Sequence, residues 1–150
     1  MRLRRAEAAD AETARALIAE LGYGGHDAAS FARGFSEVLG AAGSVVWMAE
    51  EEGRVLGLLS LSWRPQIRLG AALMTIDEIV VAEAARGKGI GRALLDRAKA
   101  EAARVGAKRL ELHTQRARAS YARGFYAKAG FVEVDSAVMR WEGAVGVRFE

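Results

Sequence analysis

RGKGIG, residues 86–91, is the stretch that decides the fold, because it joins two segments of different periodicity. The preceding segment, LMTIDEIVV at residues 73–81, is rich in β-branched residues and predicts a strand. After the turn, apolar residues recur at helical spacing until Gly106, which predicts a helix and its end. A strand, a glycine-rich turn and a helix bring backbone N–H groups and the positive end of the helix dipole to one place. The stretch therefore predicts a binding site for a phosphate or pyrophosphate.

Two familiar phosphate motifs do not fit this turn. A P-loop requires a Ser or Thr after its lysine, and none follows Lys88. The dinucleotide fingerprint requires a third glycine three positions after the second, and none is present. The pattern that does fit is Arg/Gln-x-x-Gly-x-Gly/Ala, which Arg86, Gly89 and Gly91 match. Glycine suits such a turn because a Cβ would block the close approach of the anion and several of the torsions.

A second motif lies downstream, where a predicted strand at 109–114 precedes a helical segment that ends in FYAKAGF, residues 125–131. The two motifs together resemble the GCN5-related N-acetyltransferase (GNAT) family, and the resemblance covers about residues 1–135. In that family the first motif binds the pyrophosphate of acetyl-CoA, and the second forms the other wall of the acetyl-CoA site. This chain departs from the pattern at Ala119, where related sequences often carry an Asn, so that contact is lost or is replaced by Ser120 or Arg118.

The resemblance implies a fold, a cosubstrate and a set of site residues. The fold is an α/β fold of α+β type, with a mixed, mostly antiparallel central sheet and helices on both faces. The family tyrosine, matched by Tyr126, is thought to protonate the departing CoA thiolate. The central-strand amides flank the pantetheine and polarise the thioester carbonyl. The residues expected to contact acetyl-CoA are therefore Tyr126, Ile79, Val80, Val81, Arg86, Gly87, Lys88, Gly89, Ile90, Gly91 and Arg92.

Transfer to an amine also needs a group that removes a proton, because an alkyl amine with a pKa of about 10.4 is almost fully protonated at pH 7. Asp77 and Glu78 lie in the central strand eight or nine residues before Arg86, where many relatives carry a carboxylate. Adjacent strand residues point to opposite faces, so we expect only one of the two to face the substrate. Glu78 is favoured as the base or the amine-binding group. Asp77, His113 and a water molecule stay open as alternatives.

These features predict an N-acetyltransferase that moves acetyl directly from acetyl-CoA to a primary amine, with a small molecule as the favoured acceptor. A protein N-terminal or lysine acetyltransferase is the alternative within the same chemistry. A non-catalytic module that binds acetyl-CoA is the alternative from another class, and the loss of the Asn at Ala119 leaves room for it. Retention of Tyr126 and Glu78 favours the enzyme.

Composition limits the remaining possibilities. A chain of 150 residues is expected to form a single domain, residues 1–150. The net charge of +3 is scattered along the chain, so we expect no nucleic-acid partner. No apolar run approaches the length of a membrane span and no signal-peptide pattern opens the chain, so no membrane partner and a cytoplasmic location are expected. With no cysteine and no carboxylates grouped around His26 or His113, no metal site is expected.

The order of the predicted elements is β-α-α-β-β-β-α-β-α-β, which implies a mixed sheet with helices on both faces. Asp10 is the expected N-cap of the first helix, and the second helix begins near Asp27. Strands are expected at 44–50 and 54–63, and Pro65 is expected to open a loop over 64–72.

The tail from Val132 onward predicts assembly with a second chain. It alternates weakly between apolar and polar residues, so it is expected to form a last edge strand or a surface that faces a partner. An open apolar strand edge favours pairing with another chain, and twofold closure is the commonest outcome. A homodimer is therefore expected. The apolar residues that carry this prediction are Val134, Val138, Met139, Trp141, Val145, Val147 and Phe149.

Overall fold

The computed structural model describes residues 1–141, which fall into two compact units. The first is Met1–Thr114, and the second begins at Gln115. Within residues 1–141 no helix is long and apolar enough to cross a bilayer. In the same residues no three His, Asp or Glu side chains are grouped so that they could hold a metal ion.

The first unit is built on a five-stranded sheet whose strands lie side by side in chain order. Every neighbouring pair is antiparallel except the last, which is parallel because a helix connects its two strands. The sheet therefore confirms the mixed, mostly antiparallel fold. The strands are β1 (Arg2–Arg5), β2 (Ser44–Glu51), β3 (Arg54–Gln66), β4 (Ala71–Val81) and β5 (Arg109–Leu112).

Three helices cover this sheet: α1 (Ala11–Glu20), α2 (Ala28–Gly40) and α3 (Ile90–Val105). The α2 helix begins as predicted, because the Asp27 carboxylate accepts the Ser30 N–H at 2.8 Å. The α3 helix ends as predicted at Gly106, whose φ of 69° is left-handed. Short 3₁₀ turns at Ala8–Asp10, Ile67–Leu69 and Glu83–Ala85 connect the other elements.

The helices lie on both faces of the sheet, as predicted. On one face, an apolar cluster joins α1 and α2 to the strands through Ala14, Leu17, Phe35, Val46, Met48, Leu58 and Val80. On the other face α3 packs closely over Gly57, which neighbours Leu58 and therefore points away from α1 and α2. A Cβ at Gly57 would lie 3.2 Å from side-chain atoms of both Ile90 and Leu94. Gly57 thus allows the first two turns of α3 to approach the sheet.

One local prediction is wrong, and a second is confirmed for the position of the residue but not for its side chain. Pro65 does not open a loop, because β3 continues through it to Gln66 and Pro65 pairs with Ala72. The β2 strand begins opposite Ser62, so at Pro65 β3 pairs with β4 alone among residues 1–141, and an edge position tolerates proline. The Asp10 side chain does not cap α1 either, although the residue stands at its N-cap position.

The buried Asp10 carboxylate instead joins β1 to the segment before α1. It accepts two hydrogen bonds from the Arg4 guanidinium, both 2.8 Å long, and one from the Glu7 N–H at 2.8 Å. These bonds hold the pKa of Asp10 below its usual range, with Arg4 as the largest cause. Asp10 therefore stabilises the entry into α1 through an ion pair.

The second unit, described for residues 115–141, contains two short helices, α4 (Ala119–Ala122) and α5 (Phe125–Lys128). A single helical segment was expected here, but Gly124 between them has a left-handed φ of 70°, which ends a helix. No strand forms in residues 132–141, where Val132, Val134, Val138, Met139 and Trp141 are exposed. Val145, Val147 and Phe149 of the expected last strand lie outside the described residues.

Candidate active site

The turn between β4 and α3 has the backbone of an anion site. Gly87 and Gly89 both have left-handed φ angles, 77° and 82°, which L side chains rarely adopt. A Cβ on either glycine would meet no atom within 4 Å, so the turn is open on that side and its need for glycine comes from the torsions. The first intrahelical bond runs from the Ala93 N–H to the Gly89 carbonyl at 3.1 Å. The amides of Ile90 and Gly91 therefore precede the bonded turns, at the positive end of a 16-residue helix.

The two arginines of this turn, Arg86 and Arg92, already form hydrogen bonds within the protein. Arg86 donates from Nε to the Val81 carbonyl at 3.0 Å, and its Nη2 lies 3.5 Å from the Glu20 carboxylate at the end of α1. Arg92 donates to the Asp96 carboxylate, one turn further along α3, at 3.1 Å. The Lys88 side chain is exposed. The open side of the turn therefore presents backbone amides more directly than it presents the Arg86 guanidinium.

The two carboxylates of β4 lie at a β-bulge. Ser60 of β3 pairs with Glu78, and the register then shifts by one residue, so Asp77 is the extra residue of β4. The Ser60 hydroxyl lies near Glu78 and the Ser62 hydroxyl near Asp77, and each favours the ionised form of its carboxylate. Ser60 and Ser62 are two residues apart in one strand and so share a face. The expectation that the two carboxylates point to opposite faces is therefore wrong, because the bulge interrupts the alternation on which it relied.

The face that carries both carboxylates is the one against which α1 and α2 pack. Leu58 precedes Ser60 by two residues and belongs to the apolar cluster with those helices. Towards the tip of the β3–β4 hairpin the same face continues as Ser62 and then Arg64. The Arg64 side chain is exposed and makes no hydrogen bond or ion pair with the described residues. One face of β3 thus passes from apolar to hydroxyl to cationic side chains.

Burial perturbs the acid–base behaviour of both carboxylates. Loss of hydration raises the pKa of Glu78 above 4.5, the Ser60 hydrogen bond opposes this, and the nearby charge of Asp77 adds to it. The pKa of Asp77 is raised by the same loss of hydration, and the Ser62 hydrogen bond opposes it. A carboxylate with a raised pKa is a better proton acceptor. Glu78 thus has the environment that a general base requires.

Beyond the bulge, β4 extends past the end of its neighbour. The parallel strand β5 pairs only with Leu73–Ile76, so residues 77–81 have no strand partner on that side within residues 1–141. The amides of residues 79–81 that face this side are available to an extended ligand, as they would be at any open strand edge, whereas the Val81 carbonyl already accepts from Arg86. This edge leads directly into the glycine turn.

Tyr126 lies in α5 of the second unit, where two aromatic rings surround it. Its ring centroid is 5.0 Å from that of Phe125 and 6.2 Å from that of Phe131, both in edge-to-face geometry. Burial raises the pKa of Tyr126 above 10, although the positive charges of Arg118 and Arg123 oppose the shift. The hydroxyl is therefore protonated at neutral pH, as an ordinary tyrosine is, and the raised pKa makes it a weaker acid.

Three other residues of interest lie outside regular pairing or at a helix end. His113 is exposed and follows the last residue of β5, which ends two residues earlier than predicted. Ala119 is the exposed first residue of α4, and Ser120, half-buried, follows it.

Several residues that shape the site were not identified from the sequence. The sequence does not reveal Ser60 and Ser62 as neighbours of the carboxylates, because that placement depends on the register of β3 against β4. Glu20 was hidden because its contact with Arg86 spans 66 residues of chain. Gly57 did leave a signal, since a glycine inside a strand pattern often marks a close approach of another backbone or side chain.

The fold thus presents a glycine turn with unbonded helix amides and, in the strand before it, a pair of carboxylates. The chain matches the model of the acetyltransferase (GNAT) family over residues 10–131, which includes parts of both units. It is 33% identical to an aminoalkylphosphonate N-acetyltransferase of Salmonella typhimurium over 129 residues, which are 86% of this chain and 83% of the relative. The chain therefore belongs to the GNAT family and is an acetyl-CoA-dependent acyltransferase.

Solved structures support the same fold. A putative acetyltransferase from Agrobacterium tumefaciens superposes with a TM-score of 0.84 at 24% identity, covering 94% of this chain and 99% of the other. An aminoglycoside N-acetyltransferase solved in complex with CoA superposes with a TM-score of 0.75 at 17% identity, covering 95% of this chain and all of the other.

Proposed function

We propose that this protein transfers acetyl from acetyl-CoA directly to the primary amine of a small molecule. The observation that carries the proposal is the placement of Asp77 and Glu78 on one face of β4, immediately before its open edge and the glycine turn. A ligand laid along that edge would extend from the anion site to a pair of carboxylates suited to an amine.

In this proposal acetyl-CoA is bound mainly by backbone groups. The amides of residues 87–91 hold the pyrophosphate at the start of α3, where the helix dipole favours negative charge. Lys88 and Arg92 add positive charge nearby. Along residues 79–81, the amides that point away from β3 flank the pantetheine and polarise the thioester carbonyl, which stabilises the oxyanion of the tetrahedral intermediate.

Glu78 acts as the base in the proposed reaction. At pH 7 only about one alkyl amine in a thousand is neutral, so removal of a proton restores the nucleophile. The neutral amine attacks the thioester carbonyl and a C–N bond forms. As the tetrahedral intermediate collapses, the C–S bond breaks, the thiolate takes the Tyr126 proton, and the second proton lost by the new amide nitrogen returns to Tyr126. Asp77 holds the substituted ammonium in place before the proton leaves.

Tyr126 is the proposed acid that protonates the departing CoA thiolate. Its support is the family motif and a buried hydroxyl that stays protonated at neutral pH. Tyr126→Phe keeps the ring and is expected to lower kcat about 10²-fold, within the range for loss of an acid catalyst. The Kd of acetyl-CoA, measured by calorimetry, is expected to change less than twofold. An unchanged kcat would remove Tyr126 from the mechanism.

The acceptor is proposed to be a small amine that also carries an anionic group. The Salmonella relative is named for aminoalkylphosphonates, and in this chain Arg64 stands exposed on the face that bears the carboxylates. A cation at one end of that face and carboxylates at the other match a zwitterion. An aminoalkylphosphonate is therefore the first acceptor to test, before polyamines, aminoglycosides and peptides.

The decisive experiment measures release of free CoA with a thiol reagent while single amines are offered. Turnover with an aminoalkylphosphonate above that with a matched alkylamine supports the proposal. Turnover confined to peptides would favour a protein acetyltransferase. Binding of acetyl-CoA without turnover of any amine would favour the non-catalytic module.

A homodimer is proposed as the working assembly. Its support is the set of exposed apolar side chains in residues 132–141, which would be covered by a second copy. Light scattering of the full chain tests it, and the mass of one 16.1 kDa chain at high micromolar concentration would contradict it.

A further inference from the structure

Glu20 contradicts the usual charge preference of a helix end. It is the last residue of α1, and no basic residue lies in the last turn of that helix. A carboxylate at a helix C-terminus is disfavoured by the helix dipole. The position therefore calls for a compensating contact, and the compensating contacts are found in the turn that leads to α3.

One oxygen of the Glu20 carboxylate engages this turn at two points. Oε2 accepts the Glu83 N–H at 2.9 Å and lies 3.5 Å from Nη2 of Arg86. Arg86 in turn donates from Nε to the Val81 carbonyl at 3.0 Å. We call these three contacts the Glu20 latch. It joins the end of α1, the end of β4 and the first residue of the glycine turn.

Other contacts fix the two ends of the same segment but not its middle, since the Gly89 carbonyl accepts the Ala93 N–H at 3.1 Å and Ile90 is buried. The Ala82 N–H bonds the Leu56 carbonyl at 2.8 Å, and Ala85 is buried. Past Ala85 the turn is exposed as far as Gly89, and two of its residues are glycines with left-handed torsions. A segment of this kind loses conformational entropy when it orders around a ligand. The latch acts at Glu83 and Arg86, on either side of the buried Ala85 and before the exposed glycines.

We propose that Glu20 is a positioning residue for the CoA pyrophosphate, and that Arg86 serves as an anchor of the turn rather than as a side-chain ligand of the phosphates. The inference rests on the proposed binding of acetyl-CoA at this turn. By holding Arg86 and the Glu83 amide, Glu20 keeps the amides of residues 87–91 in the arrangement that a pyrophosphate needs. Preorganisation of this kind increases affinity because less order is imposed on binding.

For Glu20→Ala, simple electrostatics and the latch predict changes of opposite sign in the affinity for CoA, which makes the proposal testable. If Arg86 binds phosphate directly, Glu20→Ala removes a competing carboxylate near a polyanion and tightens binding of CoA. If the latch positions the turn, Glu20→Ala weakens binding although it removes a negative charge. Arg86→Ala weakens binding in both cases and does not discriminate alone.

The experiment is a double-mutant cycle on the Kd of CoA, measured by calorimetry at fixed ionic strength with the full chain. We expect Glu20→Ala and Arg86→Ala each to weaken binding about three- to tenfold, as for loss of a charged hydrogen bond and a half-exposed ion pair. The double variant is expected to be no weaker than the weaker single variant, because both substitutions break one unit. Glu12→Ala is the matched control, since Glu12 pairs with Arg15 on the same helix and does not contact the turn.

Kinetics separates positioning from a general loss of structure. The KM for acetyl-CoA is expected to rise in Glu20→Ala, with kcat and the KM for the acceptor within twofold of the parent protein. Glu20→Gln keeps an oxygen for the Glu83 amide but loses the ion pair. Its KM for acetyl-CoA is expected to lie between that of the parent protein and that of Glu20→Ala. Unchanged or tighter CoA binding by Glu20→Ala, or full additivity in the double variant, would overturn the latch. Failure of the unsubstituted protein to bind CoA would instead overturn the proposed function, and the latch with it.

Discussion

The two halves of the sheet face that carries α1 and α2 are built from the same strands but have opposite character. Near the helices β3 and β4 contribute Leu58 and Val80, each 3% exposed, to the apolar cluster. At the bulge, and from there towards the β3–β4 hairpin tip, the same strands contribute Ser60, Ser62, Asp77 and Glu78. The change occurs within two residues of each strand. The β-bulge adds to this change, because the extra residue on β4, Asp77, brings a second carboxylate onto the face.

The difference assigns stability and the proposed chemistry to separate halves of one face. The apolar half removes hydrocarbon from water and holds the helices, so its substitution should affect folding. The polar half holds two carboxylates with raised pKa values, an arrangement that costs stability and is found where acid–base chemistry is needed. Substitutions in the two halves should therefore have distinct signatures.

The largest expected effect lies in the apolar half. Leu58→Ala removes a fully packed side chain and leaves a cavity, which should lower the free energy of unfolding by about 2–5 kcal/mol. Chemical denaturation followed by tryptophan fluorescence measures the loss. The kcat of the remaining folded protein, measured well below its melting temperature, should stay within twofold of the parent. A large loss of kcat at unchanged stability would contradict the division of the face.

Glu78→Gln should give the reverse signature. We expect kcat/KM to fall about 10²-fold at neutral pH, as for loss of a general base, with stability unchanged or slightly increased because a buried charge is removed. The parent rate should fall as the pH decreases through the raised pKa of Glu78, since the base must be ionised, and the variant should lack that limb.

The high-pH behaviour of Glu78→Gln provides its internal check. Towards the amine pKa of about 10.4 the acceptor loses its proton without help, so the deficit of the variant should narrow. A deficit that is independent of pH would transfer the base role to Asp77, His113 or water. Asp77→Asn is the matched comparison, and it should affect the KM for the amine more than kcat.

Ser60→Ala should have a smaller effect, confined to the pH profile. The buried Ser60 hydroxyl stabilises the ionised form of Glu78, so its removal should raise the Glu78 pKa further. The acidic limb of the kcat/KM profile should move to higher pH by about one unit or less, with the rate above that limb nearly unchanged. Ser62→Ala is the control, because it contacts Asp77. A limb that does not move would show that Glu78 does not set it.

Sequence reasoning predicted the parts of this molecule that depend on neighbouring residues in the chain. The α3 helix and its end at Gly106, the start of α2 near Asp27, and the strand–turn–helix around residues 86–91 all follow from short-range torsion and periodicity. The family pattern then supplied the sheet, because the same two motifs occur on one fold.

The predictions failed where the outcome depends on how distant segments align. The alternation argument for Asp77 and Glu78 assumed a regular strand, and the bulge is visible only when β3 is placed beside β4. Pro65 resembles a loop residue until β2 is seen to begin opposite Ser62, which leaves β3 an edge there. The Glu20 latch joins residues 66 positions apart, so no local pattern could reveal it.

The smallest expected effect tests how far the polar half extends. Arg64 shares its face with Ser60 and Ser62, and a two-residue step along a strand is about 7 Å, so its guanidinium can reach an anionic group on an amine held by the carboxylates. Arg64→Ala should raise the KM for an aminoalkylphosphonate about three- to tenfold, as for loss of a solvent-exposed charged contact. The KM for an alkylamine of the same length without the anion should not change. Arg54→Ala, at the opposite and exposed end of β3, is the matched control. An equal rise in KM for both amines would mean that Arg64 does not contact the anionic group. The part of the face that contacts the acceptor would then end at Ser62.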